Sequence, residues 1–162
     1  MVIPKTLVFH DLKQEATDAA AFIESRLPQY LRNIGIVKHY HSDLSGLDIR
    51  GVVNVIQYGV CKNMAEAAQR AGRAARDPNS SGLFLMMVEP WALKLSLESI
   101  SITDPDQPFV LTVKKNSSKQ ERTSMASTQY VQSQDCLRQF FAIYLGDESQ
   151  RGKYFYSLWH KV

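Results

Sequence analysis

Apolar and polar positions along the chain fall into two rhythms. Thr6 to His10, Ile36 to His41, Val52 to Tyr58 and Gly82 to Glu89 are short runs rich in Val, Ile, Phe, Leu and Tyr, a pattern that predicts four strands. After the first run, Ala16, Ala19, Ala20, Ile23 and Leu27 recur at helical spacing, with Asp11 and Gln14 placed as a capping box and Pro28 as the stop. That predicts a core-facing helix. A second helix is expected to start after Asn63, with Glu66 in the reciprocal capping position, and to end before Asp77-Pro78. Strands alternating with helices favour an α/β fold with a largely parallel sheet.

From Thr112 to Asp135 the rhythm fades. Lys114, Lys115, Asn116, Ser117, Ser118, Lys119 and Gln120 open a stretch rich in Ser, Thr and Gln with little to bury, which is expected to be a polar linker. Apolar residues return from Cys136 to Leu145 as a short helix, and the aromatic Tyr154-Phe155-Tyr156-Ser157-Leu158-Trp159 follows a polar break. The expected organisation is a lobe over 1–95, an irregular segment and linker over 96–134, and a terminal region over 135–162.

A length of 162 residues has room for one compact domain, and the 44% apolar and 22% charged content is that of a globular protein. The net charge of +3 announces no nucleic-acid partner by itself, so any phosphate contact must be local. The two cysteines, Cys61 and Cys136, are too few for a four-ligand zinc site and form no secreted disulfide pattern, which favours a reducing compartment. The longest apolar run, Leu83 to Val88, is far shorter than the ~20 residues that span a bilayer. No membrane partner and an intracellular location are expected.

Chemistry concentrates on the second helix. On that helix Gln69, Arg73 and Arg76 at i, i+4 and i+7 form one stripe, with Ala67, Ala71 and Ala74 opposite. The stripe reads either as a solvated basic face or as two guanidiniums presented to an anion. Gln69-Arg70-Ala71-Gly72-Arg73-Ala74-Ala75-Arg76-Asp77 resembles the Q-x-x-G-R-x-x-R-D motif that ends the RecQ-like superfamily-two DNA helicases. Pro4 to Phe9 resembles the first strand of the second RecA-like lobe in that family, Tyr40-His41-Ser42-Asp43-Leu44-Ser45 its Y-H-[SA]-x-L segment, and Gly46 to Val52 its G-[ML]-D-x-x-x-V motif. The resemblance covers about the first 90 residues and rests on the order of these motifs.

The resemblance implies a truncated second RecA-like lobe of an ATP-dependent 3′-to-5′ DNA helicase. Arg73 and Arg76 would then be catalytic, reaching the ATP γ-phosphate as planar cations that stabilise charge in phosphoryl transfer. Gln69, Gly72 and Asp48 would bind the nucleotide, Asp48 being equally readable as a turn or cap residue. His41 and Ser42 would lie near the DNA backbone, or in a loop that closes the sheet edge. The implied partners are DNA and, with ATP, a first RecA-like lobe; the implied location is the nucleus. Asp135 to Asp147 resembles the start of the family's zinc-binding region, with Cys136 as its first ligand. The other three cysteines are missing, so no zinc is expected and Cys136 is read as a buried helix thiol.

Two gaps qualify the activity. No G-x-x-x-x-G-K-[ST] loop occurs; the nearest pattern, Gly146 to Gly152-Lys153, has the wrong spacing and Tyr154 where a hydroxyl ligand of magnesium belongs. Nor is there an acidic magnesium motif. ATP and Mg²⁺ are therefore expected in the complete two-lobed site, with neither binding tightly to this chain alone. In addition, only about ten residues, Ser42 to Gly51, separate the second and third predicted strands, fewer than a parallel crossover uses. Roughly 20 to 30 residues, about a helix and an inner strand, are missing relative to the family. A less stable lobe with open edges is expected. The other readings are a non-catalytic module that binds nucleic acid or protein, and an inactive truncated gene product.

Overall fold

The computed structural model of the chain describes residues 4–38, 49–74, 80–97, 104–110 and 112–146. Two compact units emerge, Met1–Gly59 with Ala71–Met86 and Val60–Arg70 with Met87–Val162.

The first unit carries the sheet. Strands β1 (Thr6–Phe9), β2 (Asn54–Tyr58) and β3 (Leu83–Met87) lie in the order β1-β2-β3, so the fold is a small α/β one with a three-stranded parallel sheet. The register of β1 on β2 pairs Thr6 with Asn54 and Phe9 with Gln57. Lys5 extends that ladder. Its carbonyl accepts from the N–H groups of Val53 and Asn54, while its Nζ donates to the Arg50 carbonyl at 2.7 Å. Leu83 N–H donates to the Val53 carbonyl at 2.9 Å and ties in β3. Since successive side chains point to opposite faces, Val55 and Gln57 share one face of β2 and both are fully buried.

Three of the four predicted strands are found, with trimmed ends; the run from Ile36 to His41 shows no strand among its described residues. Ile36 and Val37 form bends and Lys38 is irregular, and the rest of that run lies outside the described residues. The segment before it is bent, with Asn33 (φ 59°) and Gly35 (φ 77°) in left-handed conformations. The first and third predicted strands pair directly as β1 and β2.

Helix α1 (Lys13–Arg26) ends where expected, because Leu27 before Pro28 is held extended. Its start differs from the capping-box expectation. Leu12 is the cap residue and no side chain caps the helix, the Gln14 amide donating instead to Asp18 Oδ1 at 2.8 Å. Nor is α1 core-facing, since none of its residues is buried and Phe22 is 60% exposed.

The second unit holds most of the buried side chains. Helices α2 (Met64–Ala71), α3 (Pro90–Lys94), α4 (Lys119–Arg122), α5 (Met125–Gln132) and α6 (Leu137–Tyr144) follow in chain order, with α2 reaching one residue into the first unit. Val60, Cys61, Met64, Ala67 and Ala92 are buried in this unit, as are Met125, Ala126 and Tyr130. Gln132 Nε2 donates to the carbonyls of Ala92 and Leu95, both at 2.8 Å, which fastens α5 to α3.

The expected linker is thus a correction. Within 112–135 lie α4 and α5, and Thr123, Ser124, Ser127 and Thr128 are all buried. Burial of so polar a segment is tolerable because each hydroxyl is satisfied locally. Ser124 Oγ donates to Ser127 Oγ at 3.0 Å and accepts from Ser127 N–H at 3.1 Å; Thr123 Oγ1 donates to the Lys119 carbonyl at 2.8 Å. Helix α6 falls where predicted and ends at Gly146 (φ 64°). Cys136 is half-buried and stands at the N-terminal boundary of α6 without a side-chain capping bond, so it is not the buried helix thiol expected.

Candidate nucleotide and nucleic-acid site

The start of α2 follows from its sequence. Asn63 Oδ1 accepts the Glu66 N–H at 2.8 Å, and the Glu66 carboxylate accepts from Lys62 N–H at 3.1 Å, a capping box displaced by one residue from its usual return bond. Glu66 also holds Arg70, one turn along, in an ion pair that leaves the arginine side chain 13% exposed. Met64 and Ala67 are buried, so the helix is fixed by that face and Gln69 is exposed.

Helix α2 stops earlier than its motif suggested. It ends at Ala71, and Ala74 N–H donates to the Ala71 carbonyl at 3.0 Å, closing a turn with Gly72 and Arg73 at its centre. Gln69, on α2, and Arg73, beyond its end, therefore do not share one helical stripe. Glycine is the poorest helix former after proline, and Gly72 falls where the helix gives way. Arg73 stands on the turn, exposed, with no carboxylate among the described residues in ion-pair reach. Such a guanidinium can offer paired donors to a phosphate. Gln69 belongs to the second unit, Gly72 and Arg73 to the first. Arg76, Asp48, His41 and Ser42 lie outside the described residues.

One residue that sequence reasoning passed over sits at the carboxyl end of β1, the edge of a parallel sheet at which α/β proteins place ligands. The His10 side chain is 9% exposed, its ring lies 5.2 Å from that of Tyr58 at the end of β2, and Nδ1 is 4.0 Å from Glu15 Oε2 on α1. Neither ring nitrogen has a hydrogen-bond partner. The signal was a polar ring at a strand-to-helix junction.

The second unit has its own polar anchors. Glu89 accepts from Val60 N–H at 2.9 Å and pairs with Lys119 at 2.6 Å. Tyr144 donates to Asp106 Oδ2, and burial, then that bond, pushes its hydroxyl up to about 12. Burial likewise pushes Tyr130 up to about 12, its ring set edge-on to Phe140 and Phe141. A cavity of about 290 Å³ is lined by Ser133, Asp135, Cys136, Gln139, Phe140 and Ile143. Among the described residues no three His, Cys, Asp or Glu side chains gather to hold a metal, and no helix is long and apolar enough to cross a membrane.

Residues 42–78 match the helicase conserved C-terminal domain. The matched stretch contains Ser42, Asp48, Gln69, Gly72, Arg73 and Arg76, with His41 just before it. It supports a superfamily-two helicase C-terminal lobe and, in general terms, nucleic-acid interaction. No curated protein and no solved structure matches the chain.

Proposed function

We propose that the chain is the C-terminal lobe of a RecQ-like, ATP-dependent 3′-to-5′ DNA helicase. In this reading Arg73 and Arg76 stabilise the γ-phosphate in transfer, while Gln69, Gly72 and Asp48 position the nucleotide and His41 and Ser42 meet the DNA backbone. The supporting observation is the exposed Arg73 on the turn that closes α2, inside the stretch matching the helicase C-terminal domain. A guanidinium there suits phosphate oxygens. Neither a phosphate-binding loop nor an acidic magnesium motif occurs in these 162 residues. ATP and Mg²⁺ are thus held chiefly by a first lobe, and this chain alone binds neither tightly. Nuclear work in DNA repair and recombination is the setting this reading implies.

Mixing the chain with a separately expressed first lobe tests the reading. DNA-stimulated ATP hydrolysis is expected, and Arg73→Ala or Arg76→Ala should lower its turnover by about 10³-fold or more. No hydrolysis, or hydrolysis indifferent to both substitutions, overturns the reading.

A further inference from the structure

We propose that Lys114, Lys115 and Arg122 form a contact for the phosphates of single-stranded nucleic acid, outside the stretch that matches the helicase domain. The nine residues from Lys114 to Arg122 hold four cations and one acid, a net charge equal to the +3 of the whole chain. The rest of the sequence carries no net charge, so this segment accounts for the excess of cations.

The segment is ordered by its own hydrogen bonds. Ser117 N–H donates to the Lys114 carbonyl at 3.1 Å and Ser117 Oγ accepts from Lys114 N–H at 3.0 Å, closing a turn. Ser118 then caps α4, its Oγ accepting from Glu121 N–H at 3.2 Å while the Glu121 carboxylate accepts from Ser118 N–H at 2.6 Å. Arg122 Nε donates to the Ser118 carbonyl at 3.4 Å, which lays the arginine back along α4 toward the turn. Two of the charges are committed: Lys119 to Glu89, and Glu121 to the cap, from which it also attracts Lys114. Lys114, Lys115 and Arg122 are exposed and have no ion pair among the described residues.

Cations fixed on a short turn suit a backbone of regularly spaced phosphates, which is bound by charge and not by sequence. An anionic membrane surface suits the segment less, because lasting attachment needs apolar insertion as well, and among the described residues from 112 to 122 Val113, 43% exposed, is the one exposed large apolar side chain. The choice of nucleic acid rests on the helicase reading above.

The test is fluorescence anisotropy of a labelled single-stranded DNA oligonucleotide with the full chain, between 50 and 200 mM salt. Three phosphate contacts contribute about −2 to the log–log salt slope, so affinity should fall about 20-fold across that range on their account. Replacing all three by glutamine should remove this part of the slope, whereas Lys114→Arg with Lys115→Arg should keep it. Lys13→Gln with Arg26→Gln, on exposed positions of α1, should leave binding within about twofold. The proposal is overturned if the triple variant binds with unchanged affinity and slope, if the unaltered chain binds no oligonucleotide at 50 mM salt, or if phosphatidylserine vesicles bind as tightly as the oligonucleotide. Hydrolysis restored by a first lobe would in each of those cases leave the helicase reading standing, so the two can fail separately.

Discussion

Alkaline pH should loosen the helical unit through Tyr130. Its side chain is 8% exposed, and burial raises its pKa to about 12 from the ordinary 10. The folded state thus keeps the neutral phenol while the unfolded chain ionises it, so between pH 10 and 12 the unfolded state binds fewer protons and stability falls as pH rises. Below pH 10 the contribution is fully present. Two pKa units set its full size at about 3 kcal/mol, of which about 2 kcal/mol is lost by pH 12. Tyr130→Phe keeps the ring against Phe140 and Phe141, with centroids now at 5.6 and 4.9 Å, but removes the titrating hydroxyl. Urea unfolding followed by circular dichroism at pH 9, 10, 11 and 12 should then show a decline about 2 kcal/mol shallower in the variant. An equal decline in both proteins, or tyrosinate absorbance showing that Tyr130 ionises near 10, would refute the reasoning.

Two further outcomes follow from the same unit. Met64 is fully buried, so Met64→Ala should cost about 2–5 kcal/mol by urea unfolding, and a loss under 1 kcal/mol would mean that the site is not packed as described. Hydrogen bonds from the Ser118 backbone and then its side chain hold Glu121 below its ordinary 4.5, so the cap it makes is present above 4.5 and lost as pH falls through the lowered value. Carboxyl chemical shifts should place the Glu121 midpoint below 4.5, and Ser118→Ala should move it upward; an unmoved midpoint contradicts the cap.

The parts legible in the sequence were those where local chemistry and burial agree. Strands β1, β2 and β3 announced themselves by β-branched and large apolar residues, and Asn63 with Glu66 marked the start of α2. Helix α5 was hidden because its buried residues are Thr128, Ser127 and their neighbours, and hydroxyls that bond to adjacent backbone look in composition like a linker. The apolar stripe of α1 misled in the opposite sense, since helical spacing shows that a face could be buried and not that anything covers it. At the candidate site the residue types were readable and the geometry was not. A periodic stripe assumed a helix through Arg76, whereas α2 ends before Gly72, at a point that periodicity alone does not mark.

That early end separates two arginines three residues apart, Arg70 at a variable position of the motif and Arg73 at its first arginine. Arg70 lies inside α2 and is held by Glu66, so its charge is neutralised where it sits. Arg73 lies beyond the helix on the turn and is exposed. If availability decides which guanidinium meets a phosphate, the two should respond in opposite ways. Arg70→Ala removes a half-sheltered i,i+4 pair and should cost about 0.5–1 kcal/mol of stability while leaving hydrolysis with a first lobe within about twofold. Arg73→Ala should leave stability within about 0.5 kcal/mol and lower turnover by about 10³-fold. Urea unfolding and ATP hydrolysis measured on both variants give the four numbers required. A large loss of turnover in Arg70→Ala, with Arg73→Ala unaffected, would assign the phosphate contact to the helix interior and show that the exposed turn is only where α2 happens to stop.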